Sequence, residues 1–312
     1  MAAIIKTVAL AGANGAIGNA VLKQLLNANF TVTALTRPES SSTFPPGVKV
    51  AKVDYNDIQS LTSALKGQDA VVSTLGWAAI LSQKLLIDAA ISNGVKRIIP
   101  SEYGRDPENV ASSSLPVFGY KVEVEQYLKQ KIQGTSTTYS LVENNEFFDW
   151  DLDFKFSVDI AAKKMEIFDG GDVSFTATPL DFVAKGVVAV LQHPDETANR
   201  VVRLHGASMT QNKLLNIIQG FTGKEGWQIS HATTADREVE AYALLQQDPS
   251  NLWAWAVPFL QIALWAPKYG GDFSRRNDNE LLGLKEVSDS EIEEMVRSRA
   301  VSTKAKPWSG FN

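Results

Sequence analysis

Short apolar runs alternate with amphipathic segments through the first half of the chain. The run 4–11 is apolar and rich in β-branched residues, as in a buried strand, and Ile17, Val21 and Leu25 then fall on one face of a helix. Further strands are predicted at 31–36, 48–53, 69–75, 95–100 and 138–142, and helices at 57–66, 81–92 and 121–132. This alternation predicts an α/β fold with a doubly wound parallel sheet of the Rossmann type.

The alternation becomes less regular after about residue 150. Residues 163–168 and 173–176 flank an Asp-Gly-Gly-Asp turn, and this arrangement predicts a hairpin. A helix at 179–192, a strand at 200–204 and helices after Thr210, Thr233 and Ser288 follow. The apolar stretch 252–266 is shorter than the roughly 20 residues of a membrane-spanning helix, so we interpret it as a buried or pocket-lining helix. The second half is therefore expected to be a smaller α+β part.

The segment Gly12-Ala13-Asn14-Gly15-Ala16-Ile17-Gly18, the glycine turn, lies where the first strand ends and the first helix begins. Glycines permit a tight turn and a close approach of backbone to a pyrophosphate, and the helix N-terminus favours an anion. An ordinary glycine-rich turn is the alternative, but strand, turn and amphipathic helix in this order favour a dinucleotide loop. We therefore expect residues 1–150 to form the dinucleotide-binding domain, joined by part of the later chain, and residues 151–312 to be mainly substrate-binding.

The residue that follows the second strand indicates which nicotinamide cofactor is bound. A carboxylate there bonds the ribose 2′-hydroxyl of NAD, whereas an arginine pairs with the 2′-phosphate of NADP. That residue is Arg37, whose guanidinium can contact a phosphate through two hydrogen bonds, so NADPH is the predicted cofactor. The alternative is that Arg37 is a solvated loop charge and that Glu39 takes the ribose hydroxyls.

Composition narrows the class of protein further. The 312 residues are 44% hydrophobic, enough for a large core, and a net charge of -5 argues against a nucleic-acid-binding surface. The chain has no cysteine and three dispersed histidines, so disulfides, cysteine nucleophiles and a metal site are not expected. The N-terminal segment lacks the pattern of a signal or transit peptide, and we expect a cytoplasmic protein without membrane association.

Lys121 is the predicted proton-transfer group. It begins the helix after the fifth strand, near the carboxyl edge of the sheet where ligands bind in open α/β folds. Half-burial beside a nicotinamide ring would lower the pKa of its amine, which could then exchange a proton with a substrate phenol or carbonyl. The alternative is a lysine that only bonds the nicotinamide ribose. A Tyr-x-x-x-Lys match at Tyr127 and Lys131 lies in a charged helical run, and we interpret it as a half-buried tyrosine beside solvated lysines.

Three parts of the chain resemble the isoflavone reductase-like family: Val72-Ser73-Thr74-Leu75-Gly76, Pro100-Ser101-Glu102-Tyr103-Gly104 and Lys121. This family includes phenylcoumaran benzylic ether, pinoresinol-lariciresinol and isoflavone reductases, and it belongs to the NmrA-like group of atypical short-chain reductases. The resemblance covers nearly the whole chain. It implies hydride transfer from NADPH to a small aromatic or polyketide-like metabolite, such as an enone or a quinone-methide-like species.

The resemblance also implies a set of site residues, with Lys121 in the role of proton transfer. The implied cofactor contacts are Gly12, Ala13, Asn14, Gly15, Ala16, Ile17, Gly18, Arg37, Thr74, Gly76, Lys121 and Asn145, and the implied substrate contacts are Trp77, Tyr103 and Phe147.

The chain departs from the plant members of this family at a few positions. Glu125 stands four residues after the lysine, where plant members often carry a basic group, so lignan and isoflavonoid substrates are in doubt. Trp77 and the pair Trp253 and Trp255 suggest a differently shaped pocket. For Trp253 and Trp255, packing of a helix against the core is the alternative.

Two other functions are compatible with the same fold. A regulator of the NmrA type would bind NADP through the glycine turn and act on a partner protein without catalysis. Such sensors commonly lack a lysine at the position of Lys121, so its presence favours chemistry. A redox-neutral isomerase or cyclase would use the lysine without net hydride transfer. No oligomeric state is predicted.

Overall fold

The computed structural model describes residues 4–300, and its first half is built of alternating strands and helices. In chain order these are β1 (Thr7–Ala11), α1 (Ala16–Asn27), β2 (Thr31–Thr36), β3 (Lys49–Lys52), α2 (Ile58–Ala64), β4 (Ala70–Ser73), α3 (Gln83–Ser92), β5 (Arg97–Ile99), α4 (Val110–Ser113), α5 (Gly119–Lys131) and β6 (Thr138–Glu143). A 3₁₀ helix, Trp77–Ser82, precedes α3. Every strand and helix predicted for this half is present, although several strands are shorter than predicted.

The second half contains shorter strands and helices in mixed order. They are β7 (Glu146–Phe147), α6 (Phe148–Phe154), β8 (Val158–Asp159), β9 (Lys164–Phe168), β10 (Phe175–Thr178), α7 (Leu180–Gln192), β11 (Arg200–Arg203), β12 (Ala207–Met209), α8 (Gln211–Thr222), β13 (Gln228–Ala232), α9 (Thr234–Gln247), α10 (Leu252–Trp265) and α11 (Asp289–Ala300). Further 3₁₀ helices are Pro116–Phe118, Asp169–Gly171 and Pro267–Tyr269. Among residues 4–300, no helix combines the length and the apolar character needed to cross a membrane.

Seven parallel strands form the main sheet, in the order β11-β6-β5-β4-β1-β2-β3. β1 lies between β2 and β4, so the strand order reverses at this point. In open α/β sheets, ligands bind outside the carboxyl ends of the strands at such a reversal. The predicted Rossmann-type fold is confirmed, and its glycine turn directly follows the carboxyl end of β1.

Helices cover both faces of the main sheet, because successive strand residues point to opposite faces. Val8 and Leu10 of β1 pack in a core with α1 and α7, whereas Ala9 and Ala11 pack with α2, α3 and α5. Both α7 and β11 come from the chain after residue 150, and β11 pairs with β6. The division of the chain near residue 150 stays a prediction, and residues 301–312 of its second part lie outside the described residues.

The hairpin predicted from residues 163–168 and 173–176 is wrong. β9 pairs with β8 and β13 in one three-stranded sheet, whereas β10 pairs with β7 and β12 in another. The Asp-Gly-Gly-Asp turn between β9 and β10 contacts α8 and α9 instead. The Asp169 carboxylate accepts hydrogen bonds from Thr234 at the start of α9, and Asn212 of α8 donates to the Gly170 carbonyl. Pairing partners from distant parts of the chain therefore overrode the local turn.

Candidate active site

A cavity of about 330 Å³ lies at the carboxyl edge of the main sheet, between the glycine turn and α10. The predicted site residues that line it are Gly15, Ala16, Ile17, Thr74, Gly76, Trp77, Tyr103, Lys121, Asn145 and Phe147. The other predicted site residues, Gly12, Ala13, Asn14, Gly18 and Arg37, lie outside the lining. Leu260, Ala263 and Leu264 of α10 also line the cavity, which confirms that the apolar stretch is a pocket-lining helix.

The glycine turn is packed tightly against the end of β4. Gly12 has a φ of 80°, a conformation that favours glycine, and Gly15 N donates to Gly12 O over 2.9 Å. A Cβ on Gly18 would lie 2.0 Å from Gly12 O, and a Cβ on Gly12 would lie 2.6 Å from Thr74 O. Thr74 Oγ1 donates to Ala11 O over 2.8 Å. The side chain of Thr74 therefore supports the turn, and only glycine fits at positions 12 and 18.

Arg37 directly follows β2, the strand beside β1, so it lies at the same sheet edge as the glycine turn. Its side chain is 75% exposed, and its Nε lies 3.2 Å from Oε1 of Glu39. Asn14 Nδ2 donates to Ser42 Oγ over 3.0 Å and so joins the glycine turn to the loop after β2. Both residues considered for ribose recognition, Arg37 and Glu39, are thus paired at the surface beside this loop.

Lys121 lies in the first turn of α5, and its Nζ donates to two backbone carbonyls. The acceptors are the oxygens of Glu102 and Tyr103, the latter at 2.8 Å. Burial lowers the pKa of Lys121 below its usual value, although the carboxylates of Glu102 and Glu143 oppose this shift. A lysine that is oriented by two carbonyls and has a lowered pKa is suited to proton exchange with a ligand.

Two residues beside Lys121 have left-handed backbone conformations. Tyr103 has a φ of 33°, which is rare for a bulky residue, and Asn145 has a φ of 55°. Tyr103 N donates to Val142 O over 3.1 Å, and Asn145 Nδ2 donates to the carbonyl of Gly271. Backbone strain that is held in place by hydrogen bonds is typical of active sites. The ring of Tyr103 is buried, and the backbone carbonyl of Tyr103 binds Lys121.

Four charged side chains next to Lys121 form the Arg105 cluster: Glu102, Arg105, Glu125 and Lys129. Arg105 Nη2 lies 2.5 Å from Glu125 Oε2 and 3.3 Å from Glu102 Oε2, and Lys129 Nζ lies 2.7 Å from Glu125 Oε1. Burial raises the pKa of Glu102 to about 7, against the attraction of Arg105 and Lys121. Glu125 lies outside the cavity lining, and its contacts tie α5 to the segment that carries Glu102.

Two further acids, Glu146 of β7 and Asp151 of α6, line the cavity, and sequence analysis missed them. This carboxyl pair is 8% and 5% exposed, and each of the two acids affects the pKa of the other. Ser157 N donates to Asp151 Oδ1 over 2.7 Å, and Ser157 Oγ donates to Glu146 Oε1 over 3.4 Å. Burial and the nearby Asp151 raise the pKa of Glu146 well above its usual value. A signal was present, because Asp151 shares the buried face of α6 with Phe148 and Leu152.

Aromatic rings form much of the remaining lining. Trp77 packs against Tyr120 with 5.6 Å between the ring centroids, and Phe147 meets Trp150 edge-on at 5.8 Å. Trp77, Phe147 and Trp150 all line the cavity. The cavity can therefore accept the flat apolar part of a ligand against aromatic faces and edges.

Four other residues singled out in the sequence lie outside the lining. Trp255 is buried in the core below α10, and Trp253 is 40% exposed, so the expectation that they shape the pocket is wrong. Tyr127 Oη donates to Asp88 over 2.6 Å, and Lys131 Nζ lies 3.4 Å from the same carboxylate. The Tyr-x-x-x-Lys match thus belongs to the contact between α5 and α3 and takes no part in the site.

Comparison with known proteins identifies the family. The model of the NmrA-like family matches residues 5–230. The oxidoreductase poxI of Penicillium oxalicum is 33% identical over 299 residues, which cover 90% of this chain and 91% of that protein. The chain belongs to the NmrA-like family. The membership predicted from the motifs is confirmed.

Two solved structures show the same NmrA-like fold. A structure of isoflavone reductase superposes with a TM-score of 0.75 at 18% identity, covering 94% of this chain and 99% of that chain. A binary complex of leucoanthocyanidin reductase and NADPH from Vitis vinifera superposes with a TM-score of 0.76 at 21% identity, covering 95% and 100%. The isoflavone reductase-like fold implied by the motifs is therefore confirmed.

Proposed function

We propose that this protein is an NADPH-dependent reductase that transfers hydride to a small aromatic or polyketide-like metabolite, with Lys121 as the proton-transfer group. One observation carries the proposal: the same cavity is lined by Gly15, Ala16 and Ile17 of the glycine turn and by Lys121. A dinucleotide and a second molecule can therefore meet beside a lysine of lowered pKa. The name of the fungal relative, an oxidoreductase, supports the same class of activity.

The residues of the glycine turn fit the diphosphate of a dinucleotide. Side chains at Gly12 and Gly18 would fill the turn, and Gly15 places no side chain over the first N–H groups of α1. Arg37 would hold the 2′-phosphate by exchanging its exposed contact with Glu39 for a phosphate. The NADPH complex of leucoanthocyanidin reductase supports this choice of cofactor. When bound, NADPH would supply the hydride.

Lys121 would hold and release a proton at a substrate oxygen. An ammonium group has three N–H donors, and the carbonyls of Glu102 and Tyr103 accept two of them, so one remains for a ligand. The aromatic and aliphatic lining keeps water away and strengthens this hydrogen bond to an oxygen that gains negative charge. The proposed cofactor contacts in the lining are Thr74, Gly76 and Asn145, and the proposed substrate contacts are Trp77, Tyr103 and Phe147.

The test is NADPH oxidation by the full chain with a panel of aromatic enones and polyketide quinones. We expect at least one panel member to be reduced, and Lys121→Met to lower its kcat by about 100-fold or more. The Kd for NADPH, measured from its fluorescence, should change little. Lys131→Met is the matched control, because Lys131 lies on the same helix but binds Asp88 away from the cavity.

Other outcomes would favour the alternatives. Normal kcat with a raised Kd for NADPH in Lys121→Met would restrict Lys121 to binding the nicotinamide ribose. NADPH binding without oxidation of any panel member would favour the sensor. Conversion of a substrate without transfer of label from deuterated NADPH would indicate an isomerase or a cyclase.

A further inference from the structure

We propose that the carboxyl pair, Glu146 and Asp151, is a second polar binding point in the cavity, for a hydrogen-bond-donating group of the substrate such as a hydroxyl or a protonated amine. The inference deepens the proposed function and rests on it for the identity of the molecule that occupies the cavity. It predicts a substrate with two polar ends, one that accepts a proton from Lys121 and one that donates to the carboxyl pair.

The position of the pair supports this role. Glu146 belongs to β7 and Asp151 to α6, so their carboxyl groups are brought together by the short turn from the strand into the helix. Both residues line the cavity, and both are more than nine-tenths buried. The pair and Lys121 reach the same cavity from different segments of the chain, so a single ligand can contact both.

The hydrogen bonds of the pair leave accepting capacity unused. Ser157 donates to Asp151 Oδ1 and to Glu146 Oε1, and among residues 4–300 no donor from another residue reaches Glu146 Oε2 or Asp151 Oδ2. These two oxygens can bind each other only through a proton that one of the carboxyls retains. Glu146 Oε2 and Asp151 Oδ2 are buried, so the accepting positions left for a ligand are the second lone pairs of Glu146 Oε1 and Asp151 Oδ1.

The charge of the carboxyl pair indicates which chemical group the ligand presents to it. Within residues 4–300, neither Glu146 nor Asp151 forms an ion pair. Besides burial, the pKa of each acid is shifted among these residues only by the other acid and by Ser157. Burial raises the pKa of both carboxyls, so we infer that the pair retains a proton near neutral pH. A hydroxyl would satisfy the remaining oxygen lone pairs, and an ammonium would also neutralise the charge.

The first experiment measures binding of three probes with the same phenylethyl skeleton to the full chain with NADP⁺: 2-phenylethanol, 2-phenylethylamine and methyl 2-phenylethyl ether. Affinities come from saturation-transfer NMR. We expect the alcohol, the amine or both to bind the wild-type chain about tenfold tighter than the ether, which cannot donate. Preference for the amine alone identifies a cationic ligand group, and preference for the alcohol identifies a neutral one.

Variants then assign the preference to the pair. Glu146→Gln and Asp151→Asn should each remove most of it, whereas Asp153→Asn on the same helix should keep it. Asp153 lies outside the cavity lining and pairs with Arg299 at 2.9 Å. Equal affinity of the wild-type chain for all three probes overturns the proposal, and so does a preference that survives in both pair variants.

A second measurement needs no ligand. At neutral pH, the infrared difference spectrum between the wild-type chain and Glu146→Gln should show the loss of a protonated-carboxyl band, and the difference between the wild-type chain and Asp153→Asn should show no such loss. An unchanged band in Glu146→Gln overturns the shared proton and with it the proposal. Lys121→Met should keep the donor preference even where hydride transfer is lost. A chain that prefers donors but oxidises no NADPH therefore refutes the proposed function alone.

Discussion

The Arg105 cluster and the carboxyl pair are two buried groups of acids beside one cavity, and they are neutralised in different ways. In the Arg105 cluster, one guanidinium contacts both Glu102 and Glu125, at 3.3 and 2.5 Å. In the carboxyl pair, Glu146 and Asp151 affect the pKa values of each other, and no cation is among the groups that shift these pKa values. The permanent charge of Arg105 pairs the acids of the Arg105 cluster within the protein. In our proposal, the carboxyl pair has no such partner among residues 4–300 and can bind a ligand.

The largest effect is expected from Arg105→Met, which would leave Glu102 and Glu125 buried without their shared cation. Removing one partner of a buried ion pair costs about 3–5 kcal/mol, and we expect a loss of this size in the free energy of unfolding from urea titrations at pH 7. Lys129→Met is the control. Its side chain is 45% exposed, so its removal should cost less than about 1 kcal/mol. Equal losses in the two variants would show that Arg105 is not the cation on which the cluster depends.

A smaller effect is expected from Asp151→Leu in the carboxyl pair. Ser157 N would lose its acceptor at 2.7 Å, and a buried donor without a partner costs about 1–3 kcal/mol of unfolding free energy. Asp151→Asn retains an oxygen for Ser157 and supplies an N–H to Glu146, so its cost should stay below about 1 kcal/mol. Urea titrations of both variants compare them directly. A loss in Asp151→Asn as large as in Asp151→Leu would mean that the acid itself, and not its hydrogen bonds, stabilises the fold.

The third effect is a change in how stability depends on pH. Burial raises the pKa of Glu102 to about 7, so the folded chain binds more protons than the unfolded chain between the usual glutamate range and pH 7. The free energy of unfolding therefore falls as pH rises through this window, by at most about 1.4 kcal/mol per pH unit for one proton. Glu102→Gln should flatten that part of the curve. Glu146→Gln should act in the same sense, because the pKa of Glu146 is also raised.

Urea titrations across pH 4 to 8 measure this dependence. Glu123→Gln is the control, because Glu123 is 48% exposed and forms an ion pair with Lys84 away from the cavity. Its curve should keep the wild-type slope. A wild-type slope in Glu102→Gln would contradict the raised pKa, and a flat curve in Glu146→Gln alone would assign the whole dependence to the carboxyl pair.

Features that depend on neighbours in the chain could be predicted from the sequence. The glycine turn follows from three glycines between an apolar run and an amphipathic helix, and the helix at 252–266 follows from its apolar composition. Lys121 was singled out because it begins the helix after the fifth strand, and the structure brings it to the cavity beside the turn. The turn and the helix depend on interactions within a few residues, and the helix that carries Lys121 is recognised from the same local pattern.

The carboxyl pair and the role of Glu125 could not be predicted in this way. Glu125 stands where plant members often carry a basic group, and its role is not predicted from the sequence; Arg105, twenty positions earlier, binds it outside the cavity. The hairpin between β9 and β10 failed for a similar reason, because each strand found its partners far away in the chain. The contacts of these acids and strands are made with residues that are distant in sequence, so a local pattern does not predict them.

By itself the sequence determined the alternation of strands and helices, the turn that suits a diphosphate and the family to which the chain belongs. These depend on periodicity and on backbone conformations that glycine alone adopts readily. Only the tertiary structure decided which acids face the cavity and which of them keep a proton. Ionisation depends on desolvation and on nearby charges, and Leu264 of α10, which lines the same cavity as Lys121, is remote from it in sequence.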